Sequence, residues 1–349
     1  MTPLETIIRG MIRADGPMPL DRYMALCLGH PEHGYYMTRD PFGAGGDFTT
    51  APEISQVFGE LIGVWVAQVW QALGSPRHFA LVELGPGRGT LMADVLRVLS
   101  RVKDAAKAAE VHFVETSPVL REAQGIRVPQ STWHHTIASL PARPSIIIAN
   151  EFFDALPIRQ FERKNGTVFE RVIGLTGDML ERGLVPSPVP VPLRGEGVFE
   201  DHAIRAAAAR QLGDHLARSG GAALIFDYGH ARSALGDTLQ AMIAHKYCRV
   251  TERPGEADIT SHVDFEALAR AFPEGGARIA GLMAQGDFLN AMGLEARTEV
   301  LSRSVEGEAR TQLVAASERL AHPAQMGHLF KVMAVTSAGL QPPYPFGAT

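Results

Sequence analysis

Apolar positions recur at helical spacing from the start of the chain. Ile7, Ile8, Met11 and Ile12 share a face of one helix, and residues 21–29 predict a second. Residues 30–50, HPEHGYYMTRDPFGAGGDFTT, break the pattern. They are rich in glycine, proline and aromatics but poor in aliphatics, so they should lie over the surface of another part. Thr50-Ala51-Pro52-Glu53 then fits a capping box, opening a helix with Ile54, Phe58, Leu61, Trp65 and Val69 on one side.

From residue 79 short apolar runs alternate with amphipathic helices, the mark of a parallel sheet. Strands are predicted at Phe79–Leu84, 111–115, Ser145–Asn150, 222–227, 278–283 and 329–336. Helices are predicted at 91–102, 201–218 and 264–271, the second closed by Ser219-Gly220-Gly221. The alternation is interrupted at 159–200. There an Asn165-Gly166 turn marks a hairpin, and the proline-rich VPSPVPVPL after it should be extended. The organisation expected is a helical extension with a lid loop (1–75) and a first half of an α/β domain (76–158). An inserted hairpin segment (159–200) and the second half (201–349) complete it. No internal repeats occur.

The chemistry sits at strand ends. In Leu81-Val-Glu-Leu-Gly-Pro-Gly-Arg-Gly-Thr-Leu91, a buried strand passes through three glycines into a helix. Gly85, Gly87 and Gly89 allow close backbone approach to a ligand, with Pro86 between the first two. A dinucleotide turn would place a glycine where Thr90 stands, and Glu83 would repel a pyrophosphate. An acid there suits a ligand bearing an ammonium and a sulfonium, as S-adenosylmethionine (SAM) does. Glu115, at the tip of the second strand, can accept both hydroxyls of a ribose. The third strand ends in Asn150-Glu151-Phe152-Phe153-Asp154, bringing Asn150, Glu151 and Asp154 to the same edge. Glu151 and Asp154 could orient a guanidinium and receive its proton, or one of them could cap the following helix. Asp227 and Tyr228 end a further strand at that edge. In Asp258-Ile-Thr-Ser-His262-Val-Asp264, Asp264 or Ser261 could cap a helix and His262 could accept a proton.

Composition removes several alternatives. Of 349 residues, 46% are hydrophobic and 20% charged, a folded rather than disordered balance. A net charge of −5 gives no electrostatic case for nucleic acid. Cys27 and Cys248, the only two cysteines, form no CxxC motif and read as free thiols. His30 and His33 lack a third ligand nearby, so no metal is expected. No apolar run nears the roughly 18 residues that span a bilayer. The N-terminus, with Glu5 and Asp15, has the layout of neither a secretion signal nor a transit peptide, so a cytoplasmic location is expected.

The segments GDFTTAPEISQVFGELIGVW (46–65), LVELGPGRGTLMADVL (81–96), HFVETSP (112–118), ANEFFDALPIRQF (149–161), FDYGH (226–230) and ADITSHVDF (257–265) resemble the MidA family. These are the methyltransferases that assist assembly of mitochondrial respiratory complex I, with their bacterial relatives; the resemblance runs from about residue 3 to 336. It implies a Rossmann-like class I SAM-dependent methyltransferase and symmetric dimethylation of arginine on a complex I subunit. The glycine turn would then hold SAM. Glu151 would stand where protein arginine methyltransferases keep the first acid of a two-glutamate loop, although this chain offers Glu151 and Asp154 instead. The absence of a mitochondrial leader points to a bacterial member. A small-molecule methyltransferase and a non-catalytic SAM-binding assembly factor are the alternatives.

Overall fold

The computed structural model describes residues 1–39, 41 and 50–347. Seven strands form the main path of the central sheet, β1 (Phe79–Leu84), β2 (Ala109–Val114), β3 (Thr132–His134), β4 (Ser145–Asn150), β5 (Gly221–His230), β6 (Arg278–Ala284) and β7 (Phe330–Thr336), and the two-residue strand Val263–Asp264 pairs with β5 as an eighth. Their spatial order is β6-β7-β5-β4-β1-β2-β3. β1 to β5 run parallel, and β7 is antiparallel to both its neighbours. The chain reverses direction across the sheet between β1 and β4, so a crevice opens beyond their carboxyl ends, where open α/β sheets take their ligands.

Both faces of the sheet are covered, which explains the uninterrupted apolar strands. Phe79, Leu81, Ile146, Ile148, Leu224 and Phe226 point to one side, against helices Gln56–Ala72 and Thr90–Leu99. Ala80, Val82, Ile147 and Ile225 point to the other, against helices Ala203–Ser219 and Phe265–Glu274. Fully burying each such leucine or isoleucine contributes about 2 kcal/mol.

A second core joins the N-terminal helices Pro3–Asp15 and Leu20–Gly29 to the insertion. Leu4, Ile8, Tyr23 and Met24 pack with Ile158, Ile173, Leu180 and Ile259. The predicted hairpin is present, with both Asn165 and Gly166 at positive φ. It belongs to a larger antiparallel sheet of Arg159–Lys164, Thr167–Thr176, Met179–Pro186, Gly197–Asp201 and Met18–Pro19. Residues 230–262 contain a three-stranded sheet of Gln240–Ile243, Lys246–Cys248 and Asp258–Thr260. The lid expected from 30–52 falls partly outside the described residues.

The capping box at Thr50 is not formed. Thr50 makes no side-chain cap, and the helix Ala51–Ile54 stops after one turn. Ser55 instead caps Gln56–Ala72 by accepting from Val57 N. Glu53 is drawn away to accept from the Thr90 hydroxyl at 2.5 Å. Of the two candidate caps downstream, Asp264 is the one used, accepting from Ala267 N at 2.9 Å. Three helices between β6 and β7, Gln285–Ala291, Leu294–Ser302 and Gly307–Ala321, were not predicted. No helix among the described residues is long and apolar enough to cross a membrane.

Candidate active site

The glycine turn leaves β1 with Gly85, Gly87 and Gly89 all in the left-handed region, at φ of 58°, 53° and 77°. A β-carbon at any of the three would strain the turn. Gly85 and Gly87, with Pro86, line a narrow recess whose other wall is Glu83, Asn150 and Glu151. Gly89 faces elsewhere. It caps helix Thr90–Leu99 and packs against Gln124 and Val128 of the neighbouring helix.

Two acceptors in that recess have no donor. Glu83 is 3% exposed, and its Oε2 lacks a hydrogen-bond partner among the described residues, as does Asn150 Oδ1. Burial pushes the Glu83 carboxyl well above the usual range. The Met92 N–H serves the carboxyl, but a buried carboxyl oxygen without a donor beside a carbonyl oxygen without a donor is a costly arrangement unless a cation enters. The α-ammonium of SAM is such a cation.

Glu115, beyond β2, is held rigid. Its Oε1 accepts from Thr116 N and Ser117 N at 2.7 and 2.8 Å, and Oε2 accepts from Gln124 Nε2 at 3.2 Å. The same Gln124 amide donates to Gly87 O at 2.7 Å, and its oxygen accepts from Trp133. One fully buried glutamine therefore ties the turn to the acid that would take ribose hydroxyls. Sequence reasoning did not single it out.

These features open into a larger cavity of about 650 Å³. Gly85, Gly87, Glu115 and Thr116 lie on the cofactor side. Glu151, Asp154, Tyr36, Tyr228, Asp258 and His262 lie on the other, with Arg319 and the apolar Met242, Tyr247, Met326 and Leu329. Glu151 sits at φ 51°, a conformation uncommon outside glycine, with its N–H donated to Phe226 O. Its Oε1 accepts from Asn150 at 3.1 Å. Burial first, then the neighbouring Asp154, raises its carboxyl to about 7. Burial also raises Asp154, against the lowering effects of the Tyr228 hydroxyl and Arg205. Tyr36 donates to Asp258 at 2.8 Å.

Asp227 is wholly buried and outside the cavity wall. Its Oδ2 accepts from Phe153 N and Asp154 N at 3.0 and 3.2 Å, and its Oδ1 from Tyr228 N at 3.0 Å. It shapes the turn that presents Asp154. The His262 ring stands edge-on to Tyr228, and burial lowers it below the usual histidine range, so it is neutral near pH 7. Its peptide is clamped at both ends: the N–H donates to Thr238, and the carbonyl accepts from Arg205.

The strand order, the glycine turn and the acids on the first two strands together define a class I SAM-dependent methyltransferase. Residues 61–283 match the S-adenosyl-L-methionine-dependent methyltransferase family Methyltransf_28, and the chain belongs to that family, the one its motifs resemble. It is similar to the mitochondrial protein arginine methyltransferase NDUFAF7 homolog of Drosophila melanogaster, at 38% identity over 94% of this chain and 83% of that protein. The human protein arginine methyltransferase NDUFAF7 is 35% identical over 96% and 83%. Among solved structures, a COG1565 superfamily member from Burkholderia thailandensis bound to S-adenosyl-homocysteine superposes with a TM-score of 0.86. It is 27% identical, covering 99% of this chain and 94% of that one. SAM is the cofactor.

Proposed function

We propose that this enzyme methylates arginine on a protein, a subunit of respiratory complex I being the acceptor that the family resemblance implies. The observation that carries this reading is the set of carboxylates, Glu151, Asp154 and Asp258, gathered in a cavity wall that otherwise carries one cation, Arg319, with aromatic and apolar side chains, and is continuous with the glycine turn. Such a wall disfavours a neutral acceptor and compensates a cationic one. The relatives named as protein arginine methyltransferases support it.

In this reading Glu83 and Asn150 hold the cofactor's ammonium, the glycine turn leaves room for it, and Glu115 takes the ribose hydroxyls. When bound, SAM supplies a methyl group on a positively charged sulfur, open to in-line displacement. Glu151 and Asp154 hold the guanidinium, whose planar fork matches carboxylate geometry, so that one nitrogen points at that methyl. The arriving guanidinium favours ionised Glu151, which then accepts the proton the methylated nitrogen sheds. His262, neutral and against Tyr228, is the next base along the wall. Asp227 acts through the backbone at 153–154.

The test is mass spectrometry of methylated arginine peptides from a strain lacking this protein and from its parent. The reading requires at least one symmetric dimethylarginine present in the parent and absent from the deletion strain, restored by the wild-type gene and not by Glu151→Gln. A metabolite methylated in its place would favour the small-molecule alternative.

A further inference from the structure

Helix Ala203–Ser219 carries a cation where helix electrostatics disfavours one. Arg205 lies in its first turn, at the positive end of the backbone dipole, and is 0% exposed. All five hydrogen bonds that it makes among the described residues go to carbonyl or hydroxyl oxygens. Nε donates to Leu156 O at 3.2 Å and Nη1 to His262 O at 2.7 Å. Nη2 donates to Asp154 O at 2.8 Å, to Ser261 O at 3.4 Å and to Ser261 Oγ at 2.7 Å. A buried cation whose donors all go to neutral acceptors needs negative charge nearby. Asp227, Asp154 and Glu200 provide it.

The two strips of backbone it joins are the walls of the acceptor side. The 154–156 turn follows Glu151, and 261–262 closes the segment that carries Asp258 and Thr260. On the far side of 262, Thr238 Oγ1 accepts from His262 N and donates to Glu200 Oε2, so the inserted sheet is tied into the same assembly.

We propose that Arg205 is the positioning residue of the methyl-acceptor half of the site: its planar fork fixes the 154–156 turn against 261–262, and its charge offsets the crowded carboxylates of Asp154 and Asp227. This rests on Glu151 and Asp154 facing the acceptor. The titratable and charged groups that face one another here are Glu151, Asp154, Asp227, Glu200, Asp258, Tyr36, Tyr228, His202, His230, His262, Arg319 and Lys331. Burial raises both Asp154 and Asp227; His202 and His262 are held neutral by burial, so Arg205 is the cation that opposes the rise in both. Fork and charge are separable. Lysine keeps the charge, but its single ammonium cannot reach Leu156, His262 and Ser261 together, and methionine keeps neither.

The experiment compares wild type, Arg205→Lys and Arg205→Met in the full chain. Methyl transfer is followed from tritiated SAM into protein of an extract from a strain lacking the enzyme. Cofactor binding is followed by calorimetry with SAM in two buffers of different ionisation heat, which counts protons released. Both variants should bind SAM within about threefold of wild type and lose at least about thirtyfold in transfer rate, because the cofactor side is untouched. Arg205→Met should also change the number of protons released per SAM at pH 7 and move the acidic limb of the rate profile, because Asp154 and Asp227 then hold protons more readily and Asp154 acts in turn on Glu151. Arg205→Lys should leave both unmoved. A folded Arg205→Lys with wild-type rate overturns the fork, and a folded Arg205→Met with unchanged proton release and pH limb overturns the charge. Should Arg205→Met fail to fold, Arg205→Lys and Ser261→Ala decide the matter; for the latter a smaller loss of rate with SAM binding intact is expected, and a wild-type rate in both overturns the proposal. Methyl groups found on residues other than arginine would refute the proposed acceptor and leave this comparison standing.

Discussion

Replacing Glu151 by glutamine should make the protein more stable and nearly inactive, and the first effect should depend on pH in a defined way. The side chain keeps its shape, and its oxygen can still accept from Asn150. What it loses is a negative charge set beside Asp154 in a buried wall, the two causes that raise the carboxyl from 4.5 to about 7. An acid whose native value lies above its unfolded value leaves the fold most stable below the unfolded value. That contribution is lost as pH climbs to the native value and stays lost beyond it. The lift corresponds to about 3 kcal/mol at full development, an upper figure because the wall can relax and admit water.

Glutamine is neutral throughout, so the variant should match wild type near pH 4.5 and gain steadily toward pH 7. Above that it should melt higher by up to about 6 °C, at roughly 2 °C per kcal/mol for a chain of this size. Thermal melts at half-unit steps from pH 4.5 to 8.5 read this directly. Methyl transfer at pH 8 should meanwhile fall by at least about 100-fold, since both the orienting charge and the proton acceptor are gone. A melting difference that is flat with pH would refute the electrostatic account of Glu151. A rate near wild type would remove it from the chemistry.

The remaining predictions concern the cofactor side and the turn. The kcat/KM of wild type should rise about tenfold per pH unit below 7 and level off above it, as ionised Glu151 becomes available; a profile flat from pH 5 to 8 contradicts this. Glu83→Gln should weaken SAM in calorimetry by about 10- to 100-fold, the usual worth of a hydrogen bond to a charged group, with the melting temperature held or raised. Gly85→Ala, at φ 58° with its β-carbon 3.3 Å from Phe152, should cost about 1 kcal/mol of stability and at least about tenfold in SAM affinity. Asp227→Asn cannot accept from all three backbone N–H groups, so kcat should drop about tenfold or more while SAM affinity stays within about threefold.

What the sequence made legible and what it hid divide along a physical line. The glycine turn, Glu83, Glu115, Asn150, Glu151 and Asp154 could be read because each sits at or just after the carboxyl end of a buried parallel strand, where the chain must emerge at one edge whatever the rest of the fold does. Strand ends are local information. Gln124, Tyr36, Asp258, Arg205 and Arg319 are not at such ends. They reach the site from a helix face, an aromatic turn, a short antiparallel sheet and two further helices, by contacts that span tens to hundreds of residues. The alternating pattern of 240–260 was diluted by turns, and the helices at 285–321 have many exposed positions, so neither stood out by periodicity. One local sign was available for Arg205: an arginine in the first turn of an alanine-rich helix, against the dipole, with no acid in that turn. A residue placed where its own helix gains nothing from it is answering to something outside the helix. Here that something is the pair of turns that would hold the methyl acceptor, so the strongest clue to the acceptor half lay in a misplaced charge rather than in a motif.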